Sequence, residues 1–148
     1  MAGEYHVEQL GEGAKVAELE GVPGASATRE RGDGFHNIAD EKLDVVAKQT
    51  ANFDRTEGLN TIQGNPDIKA VFAHNDEMAL GALQAIQSSG RDVLVVGFDG
   101  NEDAMTSIRN GNLSATVAQQ PEKIGSLAVQ AGADVLSGKK VEKKIPVQ

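Results

Sequence analysis

The sequence predicts an α/β domain, a flavodoxin-like, doubly wound parallel sheet of five strands in the order 2-1-3-4-5, with helices on both faces in three layers. Two observations predict it. Short runs rich in Val, Ile and Ala recur along the 148 residues with little polar alternation, as strands covered on both faces read. Longer amphipathic segments with recognisable ends lie between them, and strands that alternate with helices build parallel sheets through right-handed crossovers.

In chain order, residues 3–10 read as a lone helix feeding the first strand, Ala14–Leu19. Glu18 sits inside that apolar run, and the sequence offers no account of it. Ser26 is placed to cap a helix running to about Ile38. Gly32 and Gly34 fall within this helix, where Gly costs about 1 kcal/mol; close packing on the sheet would explain them, poor helix design is the plainer reading. The second strand is Leu43–Lys48. Asp54 and Glu57 then have capping-box spacing ahead of Leu59 and Ile62, and Gly64, Asn65 and Pro66 stop that helix early.

The third strand, Ile68–Ala73, is followed by Asn75 or Asp76 as the start of a helix whose Leu80, Leu83 and Ile86 share a face until Gly90. After the strand Val93–Phe98, Asn101 opens a short helix carrying Met105 and Ile108 and ending at Asn110–Gly111. The fifth strand is Ser114–Ala118. Pro121 suits the first position of a last helix with Ile124, Leu127, Ala128, Ala131 and Val135 inward and Gly138 as its stop. A basic stretch, Lys139, Lys140, Lys143 and Lys144, precedes Ile145–Gln148, a sixth strand or a loose tail.

Composition narrows the function. The length is that of one domain, which buries about two-thirds of its unfolded surface. Such a chain has no room for two lobes, so a cleft between domains must be completed elsewhere. Fourteen basic against 22 acidic residues give a net charge of −8, contrary to nucleic-acid binding through phosphates. The lysine cluster is read as solvated surface. There is no Cys, which excludes disulfides, zinc-thiolate sites and thiol catalysis. No apolar run approaches the roughly 20 residues of a membrane span. Met1 leads straight to Glu4 and Glu8 without a signal peptide, so the chain expressed as written is expected in the cytoplasm.

In open α/β sheets ligands bind beyond the carboxyl ends of the strands. The residues there are Gly21–Ser26 leading to Arg29 and Arg31, then Asn52–Phe53–Asp54, His74–Asn75, Asp99 and Gln119. Amides that donate and accept, a carboxylate that accepts and a guanidinium that donates together satisfy sugar hydroxyls, and an aromatic ring covers a sugar's C–H face. Each residue has a plainer reading. Asp99 and Asn75 could cap helices, Phe53 could be core, and Arg31 and Gln119 surface. Their convergence on one rim favours a neutral, polyhydroxylated ligand.

Catalytic readings find less support. A phospho-receiver would need an acidic pair after the first strand and a Lys after the fifth, where this chain has Gly21–Val22–Pro23 and Gln119. Gly21-x-x-Gly24-x-Ser26 lacks the lysine of a phosphate-binding loop. His6, His36 and His74 are too dispersed to ligate a metal, and no nucleophile–base pair is legible. No catalytic residue, metal or cofactor is expected.

Six segments carry a resemblance across nearly the whole chain. Gly11–Lys15, ATRERGDGF (Ala27–Phe35), ANFDR (Ala51–Arg55), AVFAHNDEMALGA (Ala70–Ala82), VVGFDG (Val95–Gly100) and Ala115–Gln119 resemble the bacterial ribose-binding proteins of ABC import systems. In that family two α/β lobes joined by a hinge close on the sugar, and the match covers the carboxy-terminal lobe without the amino-terminal one. The resemblance implies a non-enzymatic, periplasmic function, with D-ribose or a related monosaccharide as ligand and a transporter permease, and a chemoreceptor, as partners of the full-length protein. It places sugar contacts on Arg31, Phe53, Asn75, Asp99 and Gln119. Arg31 and Asn75 bond ring and hydroxyl oxygens, Asp99 accepts from two hydroxyls, Gln119 bonds another and Phe53 stacks.

It also divides the chain into a sugar-binding core, 1–120, and a helix and tail, 121–148, that in the family belong to the other lobe. The helix before Asn65 is about one turn shorter than the family pattern. Alone, such a lobe is expected to bind sugar at the millimolar level or worse and to dimerise through the surface left uncovered. Two other readings remain open from sequence: a truncated or engineered half-protein without ligand function, and the effector-binding core of a LacI-type regulator.

Overall fold

The computed structural model describes residues 1–61 and 64–147, apart from the side chain of Thr61. Its elements are α1 (Ala2–Leu10), β1 (Lys15–Glu20), α2 (Ser26–Lys42), β2 (Asp44–Thr50), α3 (Arg55–Thr61), β3 (Ala70–Ala73), α4 (Asp76–Ser88), β4 (Leu94–Asp99), α5 (Glu102–Arg109), β5 (Ala115–Ala118) and α6 (Pro121–Leu136). Residues Met1–Ala118 form one compact unit and the chain from Gln119 a second.

The first unit is a parallel sheet of order β2-β1-β3-β4-β5, the flavodoxin-like arrangement that the alternating pattern predicts. Alternate residues of the strands face opposite helical layers. On one side Ala17, Leu19, Val71, Ala73 and Val95 pack with Met78, Ala79, Ala82, Leu83 and Ile86 of α4 and Ala104 of α5. On the other Val16, Phe72 and Val96 pack with Ala2 of α1 and Phe35 and Ala39 of α2. Strands β1 and β3 are central and almost wholly buried, hence their apolar runs. A register shift between Val16 and Ala17 leaves one extra residue on β2, where Val46 turns to solvent.

Caps set several boundaries. Asn75 Oδ1 accepts from Met78 N–H at 2.9 Å and Asn101 Oδ1 from Ala104 N–H at 2.8 Å, so of the two candidates it is Asn75 that starts α4. Asp54 Oδ1 accepts from Glu57 N–H at 2.9 Å, while the Glu57 carboxylate takes the amide of Asn52 at 2.7 Å. Ile62, the partner expected for Leu59, lies outside the described residues.

The structure corrects several expectations. Ser26 is the first helical residue rather than the cap; extended Ala25 holds that place, with no side-chain bond. Helix α2 runs on to Lys42, because Ala39 packs into the core one turn beyond Ile38. Gly32 does sit close to the sheet, where an added Cβ would come 3.4 Å from Glu18 Oε1, but nothing lies within 4 Å of one at Gly34, so packing does not explain that glycine. The expected face of α4 does form, with Leu83 and Ile86 buried and half-buried Leu80 packed against the same cluster; on α5 Ile108 packs there too, Ala104 is buried and Met105 is exposed.

The second unit contains α6, with Pro121 in its first turn as expected. Its side chains are not inward: none is buried, and Ile124 and Val135 are exposed. Residues 145–147 form no strand.

Candidate functional site at the carboxyl ends of the strands

Four of the five residues predicted from sequence lie on the carboxyl-end rim of the first unit, and three direct contacts link them. Arg31 projects from the second turn of α2. Its Nη2 donates to Asp99 Oδ1, at the end of β4, at 3.0 Å, and its Nη1 donates to the carbonyl oxygen of His74. The guanidinium carbon stands 4.2 Å from the Phe98 ring centroid and 5.8 Å from that of Phe53. Such cation–π placement, together with an ion pair whose side chains are 13% and 33% exposed, fixes one face of the fork.

Phe53 occupies the loop between β2 and α3. It and Asn52 have φ values of 61° and 50°, a left-handed conformation that bulky residues rarely adopt and that collects at functional sites. The ring lies over the backbone of Gly21, where an added Cβ would fall 1.9 Å from Phe53 Cζ. The carbonyl of Phe53 accepts from Asn75 Nδ2 at 3.2 Å. Asn75 is thus both helix cap and loop clamp.

Asp99 also has a positive φ, 122°, followed by Gly100 at 77°. This turn is held from beneath by Asp76, fully buried, whose Oδ2 accepts from the N–H groups of Gly100 and Asn101, each at 2.8 Å. Its Oδ1 accepts from Thr116 Oγ1 at 2.6 Å. Burial pushes the Asp76 carboxyl up, and the hydrogen bonds from Thr116, Asn101 and Gly100 partly offset this. The sequence marks Asp76 only as an acidic residue at a helix start, since the groups it holds are 24 to 40 residues away.

Gln119 directly follows β5 and belongs to the second unit, where it lines a shallow depression with Gln120, Pro121, Glu122 and Lys123.

Beneath the rim is a charged cluster that the sequence did not explain. Glu18 is fully buried; its Oε1 accepts from His74 Nε2 at 2.8 Å and its Oε2 from His36 Nε2 at 2.9 Å, with Lys48 Nζ 3.4 Å away. Burial alone would raise its carboxyl, but the hydrogen bonds from the two imidazoles and the nearby positive charge hold it at about 2. For His36 burial is likewise outweighed, here by its bonds to Asp40 and Glu18, and the imidazole is raised. A cavity of about 310 Å³ opens beside this cluster, lined by Gly21, Thr28, His36 and Lys48 among others and by none of the five predicted residues. Among the described residues no group of His, Asp or Glu is arranged to hold a metal ion, and no helix is long and apolar enough to cross a membrane.

This geometry, a polar rim at the strand ends of a flavodoxin-like sheet, has close relatives. The chain is 70% identical to the ribose import binding protein RbsB of Bacillus subtilis (strain 168), over 98% of this chain and 49% of that protein. It is 52% identical to the ribose import binding protein RbsB of Escherichia coli (strain K12), over 99% of this chain and 52% of that protein. Among solved structures, an ABC transporter periplasmic solute binding protein from Actinobacillus succinogenes 130z with bound D-allose matches with a TM-score of 0.90 at 30% identity, covering 99% of this chain and 55% of that one. The periplasmic component of an arabinose ABC transporter from Shewanella sp. ANA-3, bound to L-arabinofuranose, matches with a TM-score of 0.88 at 33% identity, over 97% of this chain and 51% of that one. The chain spans about half the length of the curated relatives it matches, the extent of a single lobe. A model of the periplasmic binding protein domain covers residues 1–140, and the chain belongs to that family, whose members named above bind sugars for import.

Proposed function

We propose that this chain is a sugar-binding lobe of an ABC-type import system, without catalytic activity, and that Arg31, Phe53, Asn75, Asp99 and Gln119 are its sugar contacts. The observation that carries the reading is the convergence of Arg31, Phe53, Asn75 and Asp99 from four separate elements onto one rim, two of them at backbone conformations that ordinary loops avoid. Arg31 donates to ring and hydroxyl oxygens, Asp99 accepts from two hydroxyls, Asn75 and Gln119 do both, and Phe53 covers the C–H face. A pentose or related monosaccharide of the ribose class fits this set. The permease that receives the sugar, a chemoreceptor and the periplasm as location belong to the same reading.

One rim supplies only part of the hydrogen bonds that a two-lobed cleft gives, and water is not excluded from it. Affinity of the chain alone is therefore on the order of millimolar or weaker. Backbone amide shifts during titration with D-ribose, D-xylose and D-galactose test this. Saturable shifts confined to Phe53, Asn75 and Asp99 with ribose support it, whereas no shift at tens of millimolar or sub-micromolar affinity of a monomer overturns it. We infer also that two copies associate through apolar surface, since Ile124, Val129, Val135 and Leu136 of the last helix are exposed. Light scattering that shows a monomer at high concentration overturns that part.

A further inference from the structure

Glu18 is an anomaly in β1. Its neighbours Val16, Ala17 and Leu19 are buried and apolar, and a carboxylate among them costs desolvation that a well-packed aliphatic side chain would avoid. What it does instead is receive two imidazoles from two different elements. His74 comes from the junction of β3 with α4 at 2.8 Å, and His36 from α2 at 2.9 Å. Gly32 of α2 lies beside this pair, where a Cβ would stand 3.4 Å from both Glu18 Oε1 and His74 Cε1, an ordinary van der Waals contact. The other charged groups around the carboxylate are Lys48 on β2, which also reaches Glu20 at 3.2 Å, and Asp40, which accepts from His36 Nδ1.

The two elements tied by Glu18 are those that meet at Arg31. Arg31 stands on α2, five residues before His36, and its Nη1 donates to the carbonyl of His74. The N–H of Gly21, under the Phe53 ring, points at His74 Nδ1 at a long 3.5 Å, which leaves Nε2–H as the donor to Glu18. We propose that Glu18 is a positioning residue for Arg31: it locks α2 to the end of β3 and thereby holds the guanidinium on Phe98 and against Asp99. Its consequence for affinity rests on the sugar-site reading above; its consequence for the arginine does not.

Proton NMR of the Arg31 δ-methylene reads this directly, because a guanidinium 4.2 Å from the Phe98 centroid puts that group in the ring current. Wild type is compared with Glu18→Gln, which can still accept from His74, with Glu18→Leu, and with His36→Leu, which cuts only the α2 arm. The upfield shift is expected to persist in Glu18→Gln and to collapse in Glu18→Leu and His36→Leu, while the methyls of Leu83 and Ile86 across the sheet stay in place. Ribose affinity is expected to fall about tenfold in Glu18→Leu and far less in Glu18→Gln. A folded Glu18→Leu with the arginine shift intact overturns the proposal. If that variant does not fold, an intact shift in His36→Leu overturns it equally. A lost shift in a protein whose wild type ignores ribose keeps the positioning role and removes the sugar reading.

Discussion

Arg31 Nη2 and Asp99 Oδ1 are 3.0 Å apart across 68 residues of chain, joining α2 to the end of β4 at the rim where the sheet exposes its strand ends. Their pairing keeps a donor fork and an acceptor in register, with the arginine side chain 13% and the carboxylate 33% exposed. A partly exposed pair of this kind contributes at most about 1 kcal/mol to stability. Asp99→Asn is therefore expected to unfold in urea within about 1 kcal/mol of wild type, and Arg31→Ala to cost more because it also gives up the His74 carbonyl and the Phe98 ring, while both lose the ribose-dependent amide shifts. Retained shifts in both would remove these residues from the sugar site.

Two helical glycines in this chain have opposite reasons to be there. An added Cβ at Gly81 would lie 1.9 Å from the carbonyl oxygen of Arg55, backbone that cannot move aside, because α3 and α4 pack face to face. Gly81→Ala should cost about 3 kcal/mol or more by forcing those helices apart. Gly34 meets nothing within 4 Å, and Gly34→Ala should add about 0.5–1 kcal/mol of helix propensity. Thermal unfolding of the two variants tests both, and the same sign for both would contradict the packing.

His6 predicts an acid limit to stability. The imidazole is completely buried in α1, edge-on to Phe35 with a centroid distance of 6.1 Å, and among the described residues neither ring nitrogen has a hydrogen-bond partner. Burial pulls it down from 6.5 to about 4. The folded state keeps it neutral while the unfolded chain takes up a proton near 6.5, so its contribution is complete above that pH and declines as pH falls towards 4. The loss amounts to about 3 kcal/mol at the acid end. Tyr5 is the one tyrosine and there is no tryptophan, so intrinsic fluorescence reports on this helix. Urea unfolding at pH 7, 5.5 and 4 should show a steeper decline for wild type than for His6→Leu; parallel declines would show that His6 is not the titrating group.

Asp76 should tolerate an isosteric change better than a truncation. It satisfies two backbone N–H groups and the hydroxyl of Thr116. Asp76→Ala leaves all three without their acceptor at about 3 kcal/mol, whereas Asp76→Asn keeps an oxygen for the amides and should cost about 1 kcal/mol. Hydrogen exchange at Gly100 and Asn101 discriminates. Unchanged protection in Asp76→Ala would mean that the Asp99 turn is held by something else.

The strand ends were legible because each signal is local. The apolar runs place all five strands within two residues at either end, and Asn75, Asp54 and Asn101 serve as the caps their spacing implied. Knowing where each strand stops, and the rule that ligands sit beyond those ends, places Arg31, Phe53, Asn75 and Asp99 on one rim. The last helix misled for the same reason. Its apolar spacing is as regular as that of α4, but periodicity reports a face and not what covers it, and none of its residues is buried.

The sequence by itself determined the alternation of strands and helices, the order of turns and the residue types at the strand ends, because backbone preference and capping act over a few residues. Only the tertiary structure decided what Glu18 and Asp76 do. Each is a carboxylate that makes sense only beside groups far along the chain: His36 and His74, 18 and 56 residues from Glu18, and Gly100, Asn101 and Thr116 for Asp76. A buried charge is tolerated only where its partners converge, and that convergence is a property of the packed fold rather than of any stretch of sequence.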